Sequence, residues 1–203
     1  AESAPAMRDR ASALCAAFMA GQGARILRVH NVAATREMLR DSHRAIIALG
    51  SNMGNCCGHL DDALASLRLN PDVWVGAVSE YVTSEPAYLE AQAPFVNAVA
   101  LIQTTLTPHE LLHMLQGLEA EHGRVRSEEN GPRPLDLDII DYEGVACADE
   151  ELDLPHPLAL ERDFVVTPLL DIMPFCELAN GIAVTRDKVT VGQVMGPARD
   201  MLA

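Results

Sequence analysis

Ala45-Ile46-Ile47-Ala48-Leu49-Gly50-Ser51-Asn52-Met53-Gly54-Asn55 sets the pattern of this 203-residue chain. The five apolar residues read as a strand, and the cluster rich in Gly, Ser and Asn after them as a turn. A helix follows, with Leu60, Leu64 and Leu67 at helical spacing, and it stops near Asn70-Pro71. Val73 to Val82 is β-rich, a loop from Ser84 to Pro94 carries Pro86 and Pro94, and Phe95 to Thr104 reads as the next strand. Thr107-Pro108-His109-Glu110 combines a Thr cap, a Pro at the first position and a capping-box Glu. The helix it opens runs to about His122, with Gly123 as its stop. Leu135 to Asp141 reads as a further strand and Asp163 to Ile172 as a further helix.

From Ala45 the order is therefore strand, helix, strand, strand, helix, strand. That order predicts an α+β fold, a ferredoxin-like βαββαβ layer with extra C-terminal elements. Residues 1–43 read differently: a helix from Arg8 to Ala20, a break at Gly21 and Gly23, a strand from Ala24 to Val29 and a helix from Val32 to Arg40. The expected division is a short α-β-α segment over 1–43 and the main domain over 44–203, joined at Asp41-Ser42-His43.

Composition limits the function classes. With 49% hydrophobic residues the chain is globular, and it has no apolar run of membrane-spanning length. A net charge of −14 argues against gripping nucleic acid over a broad surface. The five cysteines (Cys15, Cys56, Cys57, Cys147, Cys176) show no paired C-x-x-C spacing, which predicts free thiols in a reducing, cytoplasmic setting. Lys188 is the only lysine, so cationic chemistry falls to arginine, and an acidic protein that handles phosphate must cluster its arginines. Residues 124 to 133 show such a cluster.

Gly131-Pro132-Arg133-Pro134-Leu135-Asp136-Leu137-Asp138-Ile139-Ile140 carries the chemistry. In a strand Asp136 and Asp138 project to one face while Leu135, Leu137 and Ile139 project to the other. Two carboxylates this close repel unless a cation lies between them, and few hard oxygen ligands suit Mg²⁺, which keeps waters and takes substrate phosphates. A solvated acidic edge strand is the plain alternative for a bare D-x-D. Arg124, Arg126 and Arg133 beside it can fork onto phosphate oxygens, or can balance Glu119, Glu121, Glu128 and Glu129. Phe95, Asn97 and Phe164 can form a flat-ligand pocket, two rings and an amide, or can be ordinary core. His109-Glu110-Leu111-Leu112-His113 matches the H-E-x-x-H pattern of zinc peptidases, but Glu110 already has a capping role and Gly117 falls one place late for the extended motif.

From Ala45 to about Pro174 the sequence resembles hydroxymethyldihydropterin pyrophosphokinase, an enzyme of folate biosynthesis. The resemblance is carried by Ala48 to Gly54, by Phe95-Val96-Asn97-Ala98-Val99, and by Gln116 and Glu119 before Gly123-Arg124-Val125-Arg126. It continues through Gly131 to Asp138, Leu154-Pro155-His156-Pro157 and Arg162-Asp163-Phe164. It implies ATP and hydroxymethyldihydropterin as substrates, with Asp136 and Asp138 holding two Mg²⁺ ions. Arg124 and Arg133 would be catalytic, and Gln116, Glu119, Arg126, His156 and Arg162 would bind ATP. Gly50, Ser51, Ser84, Phe95, Asn97 and Phe164 would form the pterin pocket.

The departures are specific. Glu129-Asn130 stands where many members have Arg-Trp, Ser84-Glu85-Pro86 replaces Thr-x-Pro, and Glu151 and Asp153 are acidic where some relatives offer a basic residue and a hydroxyl. Gly23 to Val32, with Arg28-Val29-His30, resembles the closing strand of dihydropteroate synthase, a later enzyme of the same pathway. That implies a fused or neighbouring synthase, although one βα unit cannot make an eight-fold barrel. Three readings remain: the pyrophosphokinase, a non-catalytic pterin- or nucleotide-binding relative, and a zinc peptidase requiring Glu110.

Overall fold

The structure is a computed structural model and describes residues 4–89, 91–124 and 130–198. At its centre lies β1 (His43–Ser51), buried from Ala45 to Ser51. A strand covered on both faces loses the polar alternation of a surface strand, which is why its sequence is a continuous apolar run. β4 (Phe95–Thr104), with all ten residues buried, pairs antiparallel with β1 on one side, and β5 (Asp136–Tyr142) on the other. β2 (Val73–Val78) and β3 (Val82–Ser84) both pair with β4, splitting the predicted Val73-to-Val82 stretch. The short pair β6 (Cys147–Ala148) and β7 (Asp153–Leu154) stands apart, and β8 (Val194–Pro197) extends the main sheet beyond β3.

One face of the sheet is covered by two helices from the main domain. These are α3 (Cys56–Leu69) and α4 (Pro108–Glu121), whose Leu60, Leu64, Leu67, Leu111 and Leu115 pack on Ile47, Leu49 and Leu137. The βαββαβ layer is thus the one expected, with β1 and β4 central. The capping box forms as predicted: Thr107 N donates to Glu110 Oε2 at 2.8 Å and the Thr107 hydroxyl accepts from Glu110 N. Gly123, at φ +81°, follows the His122 cap at the other end. On the opposite face α5 (Asp163–Ile172) packs Val165, Val166 and Leu169 against Ile46, Ala48, Val99 and Leu101.

Residues 4–41 pack against the domain. The helices α1 (Ala4–Gly21) and α2 (Val32–Asp41) pair through Ala13, Leu14, Ala17 and Met38. Phe18 of α1 then reaches the same sheet face as α5. Its ring lies over Gly76, the residue skipped where the β2–β4 register shifts, and a β-carbon there would fall 2.2 Å from it. Arg10 ion-pairs with Asp72 and donates to the Pro71 carbonyl at 3.0 Å.

Two expectations need correction. Ala24 to Val29 forms no strand, and Ile26 is 92% exposed. The segment pairs with no strand among the described residues, and without a neighbour there is no ladder to satisfy its backbone groups. The junction is also shorter than expected, because Asp41 ends α2, His43 starts β1, and Ser42 alone lies between them.

Candidate active site

The site grows from the end of β1. Gly50 is in register with Asn97 on β4 and with Asp136 on β5, so one residue without a side chain separates an amide from a carboxylate. Adjacent strands lie about 4.8 Å apart, which sets Asn97 and Asp136 roughly 10 Å from one another. A β-carbon on Gly50 would meet Asn97 Oδ1 at 3.1 Å, so glycine keeps that floor open. Above it lies a cleft of about 480 Å³. Asp138, two residues along β5, lines the same cleft, and α4 contributes Leu112, Gln116 and Glu119.

At the carboxylate end the charges interlock. Arg124 donates to Glu119 and lies 2.5 Å from Asp136 Oδ1, while Arg133 Nε lies 3.2 Å from Asp136 Oδ2. Glu119 is buried and also accepts from the Leu137 backbone N–H at 2.7 Å, which ties α4 to β5. Burial, then the Asp138 charge, pushes the Asp136 carboxyl above its ordinary range, against the pull of Arg133 and Arg124. Burial likewise raises Glu119. Two like charges held together at this cost form a donor set that a hard divalent cation relieves, and Mg²⁺ needs few protein oxygens when phosphates supply the rest. The residues present fit Mg²⁺.

At the amide end, Asn97 Nδ2 donates to the buried Ser84 hydroxyl at 2.8 Å, leaving Oδ1 turned toward Gly50. Phe95 and Phe164 line the same region, and each ring is faced by a guanidinium, Arg133 at 5.5 Å and Arg162 at 5.8 Å from the ring centres. Arg162 also reaches Asp138 Oδ2 at 3.3 Å and lies 3.5 Å from His156 Nε2. Burial, with help from the nearby Arg162 charge, holds the His156 imidazole below its ordinary range against the pull of Asp138.

Of the residues expected at a site, the cleft collects Gly50, Ser84, Phe95, Asn97, Gln116, Glu119, Arg124, Arg133, Asp136, Asp138, His156, Arg162 and Phe164. Ser51 is wholly buried and does not line it, because alternate strand residues face opposite ways. Arg126, Glu128 and Glu129 lie outside the described residues. Sequence reasoning missed Tyr88 and Gln92, both lining the cleft from the Ser84–Pro94 loop. It also passed over the structural role of Asn52, although its motif was noticed. Asn52 Oδ1 accepts from Arg133 N at 2.8 Å and its Nδ2 donates to Gln92 Oε1 at 3.0 Å, while Gln92 Nε2 donates to the Asn130 carbonyl at 3.1 Å. Three loops are pinned by that one chain of amides.

The H-E-x-x-H segment is arranged otherwise than in a peptidase. His109 Nε2 lies 3.0 Å from Asp149 Oδ2, His113 Nε2 lies 3.2 Å from Glu151 Oε2, and Glu110 is held in the capping box. Among the described residues no group of three or more His, Cys, Asp or Glu is placed to hold a metal ion.

An amide-and-aromatic slot thus shares its floor with an arginine-ringed Asp-x-Asp pair. Residues 46–174 match the family described as 7,8-dihydro-6-hydroxymethylpterin-pyrophosphokinase, and the chain belongs to that family. It is 42% identical to the 2-amino-4-hydroxy-6-hydroxymethyldihydropteridine pyrophosphokinase of Methylorubrum extorquens, over 64% of this chain and 83% of that protein. The Bacillus subtilis protein of the same name is 42% identical over 63% of this chain and 77% of its own length. The folic acid synthesis protein of Pneumocystis carinii is 38% identical over 77% of this chain, which spans only 22% of that longer relative.

Proposed function

We propose that this chain transfers a diphosphate from ATP to the hydroxymethyl group of 6-hydroxymethyl-7,8-dihydropterin, giving AMP and the pterin diphosphate. The observation that carries this reading is the placing of Asn97 and Asp136 on either side of Gly50. A pterin whose ring edge meets the amide then extends its hydroxymethyl arm toward the carboxylate end, where the nucleotide phosphates lie.

The residues act by binding and orienting. Asn97 Oδ1, its amide fixed by Ser84, accepts a ring N–H, and Phe95 and Phe164 hold the two faces of the ring. Asp136 and Asp138 would hold two Mg²⁺ ions, which when bound neutralise the phosphate charge. Arg124 and Arg133, freed from Asp136, grip the transferring phosphates and stabilise charge on them. Gln116, Glu119, His156, Arg162 and, from sequence, Arg126 line the nucleotide side. The pterin hydroxyl oxygen bonds to the β-phosphorus as the bond from that phosphorus to the oxygen bridging the α-phosphorus breaks, AMP departs, and the hydroxyl proton passes to solvent. Positioning supplies most of the acceleration, since no covalent enzyme intermediate forms.

Residues 1–43 resemble the last βα unit of a dihydropteroate synthase, and we place a fused or neighbouring synthase as the partner. The unpaired Ala24-to-Val29 segment supports that reading, being a strand sequence without a sheet. In this account Arg28 and His30 are vestigial, and synthase turnover by the 203-residue chain would contradict it. No helix among the described residues is long and apolar enough to cross a membrane. A cytoplasmic setting fits the free cysteines.

The test is product analysis after mixing the protein with ATP, Mg²⁺ and hydroxymethyldihydropterin, beside Asp138→Ala. The expected result is AMP and pterin diphosphate in equal amounts, both absent from the variant. Release of ADP would contradict diphosphate transfer, and no product from folded protein that still binds the pterin would instead identify a non-catalytic relative.

A further inference from the structure

The segment 190–194 lies beyond the residues matched to the family, yet it packs against residues that line the cleft. Thr190 N and Val191 N donate to the Glu161 carbonyl at 2.9 and 3.1 Å, and Asp163 N donates back to the Val191 carbonyl at 3.0 Å. Val194 N donates to Asp163 Oδ2 at 2.8 Å, and Glu85 N donates to the Gln193 carbonyl at 3.1 Å. The arm therefore brackets Arg162-Asp163-Phe164 on one side and the start of the Ser84–Pro94 loop on the other.

Gly192 sits in the middle of it, at φ +64°. A β-carbon there would fall 2.4 and 2.6 Å from two carbons of the Phe164 ring, well inside contact distance, and 3.6 Å from Ala87 Cβ. Phe164 and Ala87 line the cleft and Gly192 does not, so the glycine backbone meets the ring from behind. Ring atoms pressed onto backbone cannot retreat without moving the whole arm, because protein interiors have little free volume.

Resting on the function proposed above, we propose that Gly192 is a positioning residue: its bare backbone is the stop that sets the Phe164 ring and hence the width of the heterocycle slot. It touches no substrate. A side chain there narrows the slot by driving the ring into it, while the nucleotide end, on the far side of Gly50, is left alone.

The matched pair for the test is Gly192→Ala and Gly181→Ala. Gly181, at φ +79°, has nothing within 4 Å of its would-be β-carbon, so both variants carry left-handed strain but only one meets a ring. Binding of 6-hydroxymethylpterin is titrated by its own fluorescence, with Mg²⁺ and a non-hydrolysable ATP analogue present, and binding of that analogue is titrated separately. Gly192→Ala should weaken pterin binding about tenfold relative to Gly181→Ala, as overpacking costs of this size predict. Analogue affinity should stay within about twofold in both, since distant sites act independently. Adding Phe164→Leu should erase the difference between the two alanine variants. If Gly192→Ala does not fold, the same Phe164→Leu change should restore folding, and failure to do so overturns the proposal. Equal pterin affinities for the two variants also overturn it. A wild-type protein that binds the analogue but no pterin removes the functional reading and this proposal with it.

Discussion

Tyr88 holds Arg162: its hydroxyl accepts from Arg162 Nε at 3.3 Å and its ring centre lies 5.7 Å from the guanidinium carbon. Phe164 faces the same guanidinium, and Asp138 pairs with it. Tyr88 thus sets how Arg162 is shared between Phe164 and Asp138. Tyr88→Ala should raise KM for the pterin about three- to tenfold with a smaller change in kcat, the scale of a lost cation–π contact. Tyr88→Phe keeps the ring, loses only a long hydrogen bond, and should stay within about twofold. Steady-state kinetics on both variants checks this, and an equal fall in kcat for the two would contradict it.

Asp138→Asn and Asp136→Asn remove half of the negative donor set each. Turnover should fall by at least about a hundredfold in either, the size of effect seen when one charge-stabilising group is lost. Chelation of Mg²⁺ should abolish wild-type turnover, and Mg²⁺ should restore it. Activity that persists in chelator would remove the metal from the account.

Glu110→Ala removes the side chain that closes the capping box, without approaching the cleft. Its effect should appear as a lower melting temperature with kcat unchanged within about twofold, since capping contributes to stability rather than chemistry. A zinc peptidase would require the reverse. Zinc-rescued proteolysis that disappears in Glu110→Ala would reinstate that reading.

Much of this was legible beforehand, and for identifiable reasons. β4 and α5 fall where the sequence puts them, because a largely apolar β-rich run and a largely apolar stretch opened by an acidic residue are local signals. The Asp136–Asp138 pairing followed from the two-residue repeat of a strand. Ser51 was misjudged against that same repeat, since its neighbour Gly50 already faces the cleft. Ala24 to Val29 has strand residues but no partner, and pairing is a tertiary property. Tyr88 and Gln92 were invisible because a proline-bounded loop gives no sign of where it folds back. The arm at Gly192 was hidden for the same reason.

Cys176 is buried, and burial pushes its thiol up to about 11 from an ordinary 9.0. A thiol of raised pKa is protonated in the folded state at pH values where the unfolded chain has lost the proton. The stability this contributes is complete below about pH 9 and is lost as pH rises toward about 11, a loss on the order of 2–3 kcal/mol. Urea unfolding across that window should show the decline in wild type and a flatter profile in Cys176→Ala. In native protein at pH 8 a thiol reagent should label Cys56 ahead of Cys176.

Phe18→Ala should destabilise the fold by about 3–5 kcal/mol, the usual loss for a buried Phe. Gly76→Ala should cost about 1–3 kcal/mol by overpacking against the ring. In the double variant the second cost should largely vanish, because the two residues share one space. Urea midpoints for the three variants check the cycle, and simple additivity would show that the helix does not rest there.

That shared space has a consequence for inheritance. A relative lacking the leading helix has no ring over the bulge occupied here by Gly76, whereas one that keeps the helix and its Phe must keep the gap. The residues at positions 18 and 76, read together, therefore tell whether a leading helix rests on the sheet as it does here.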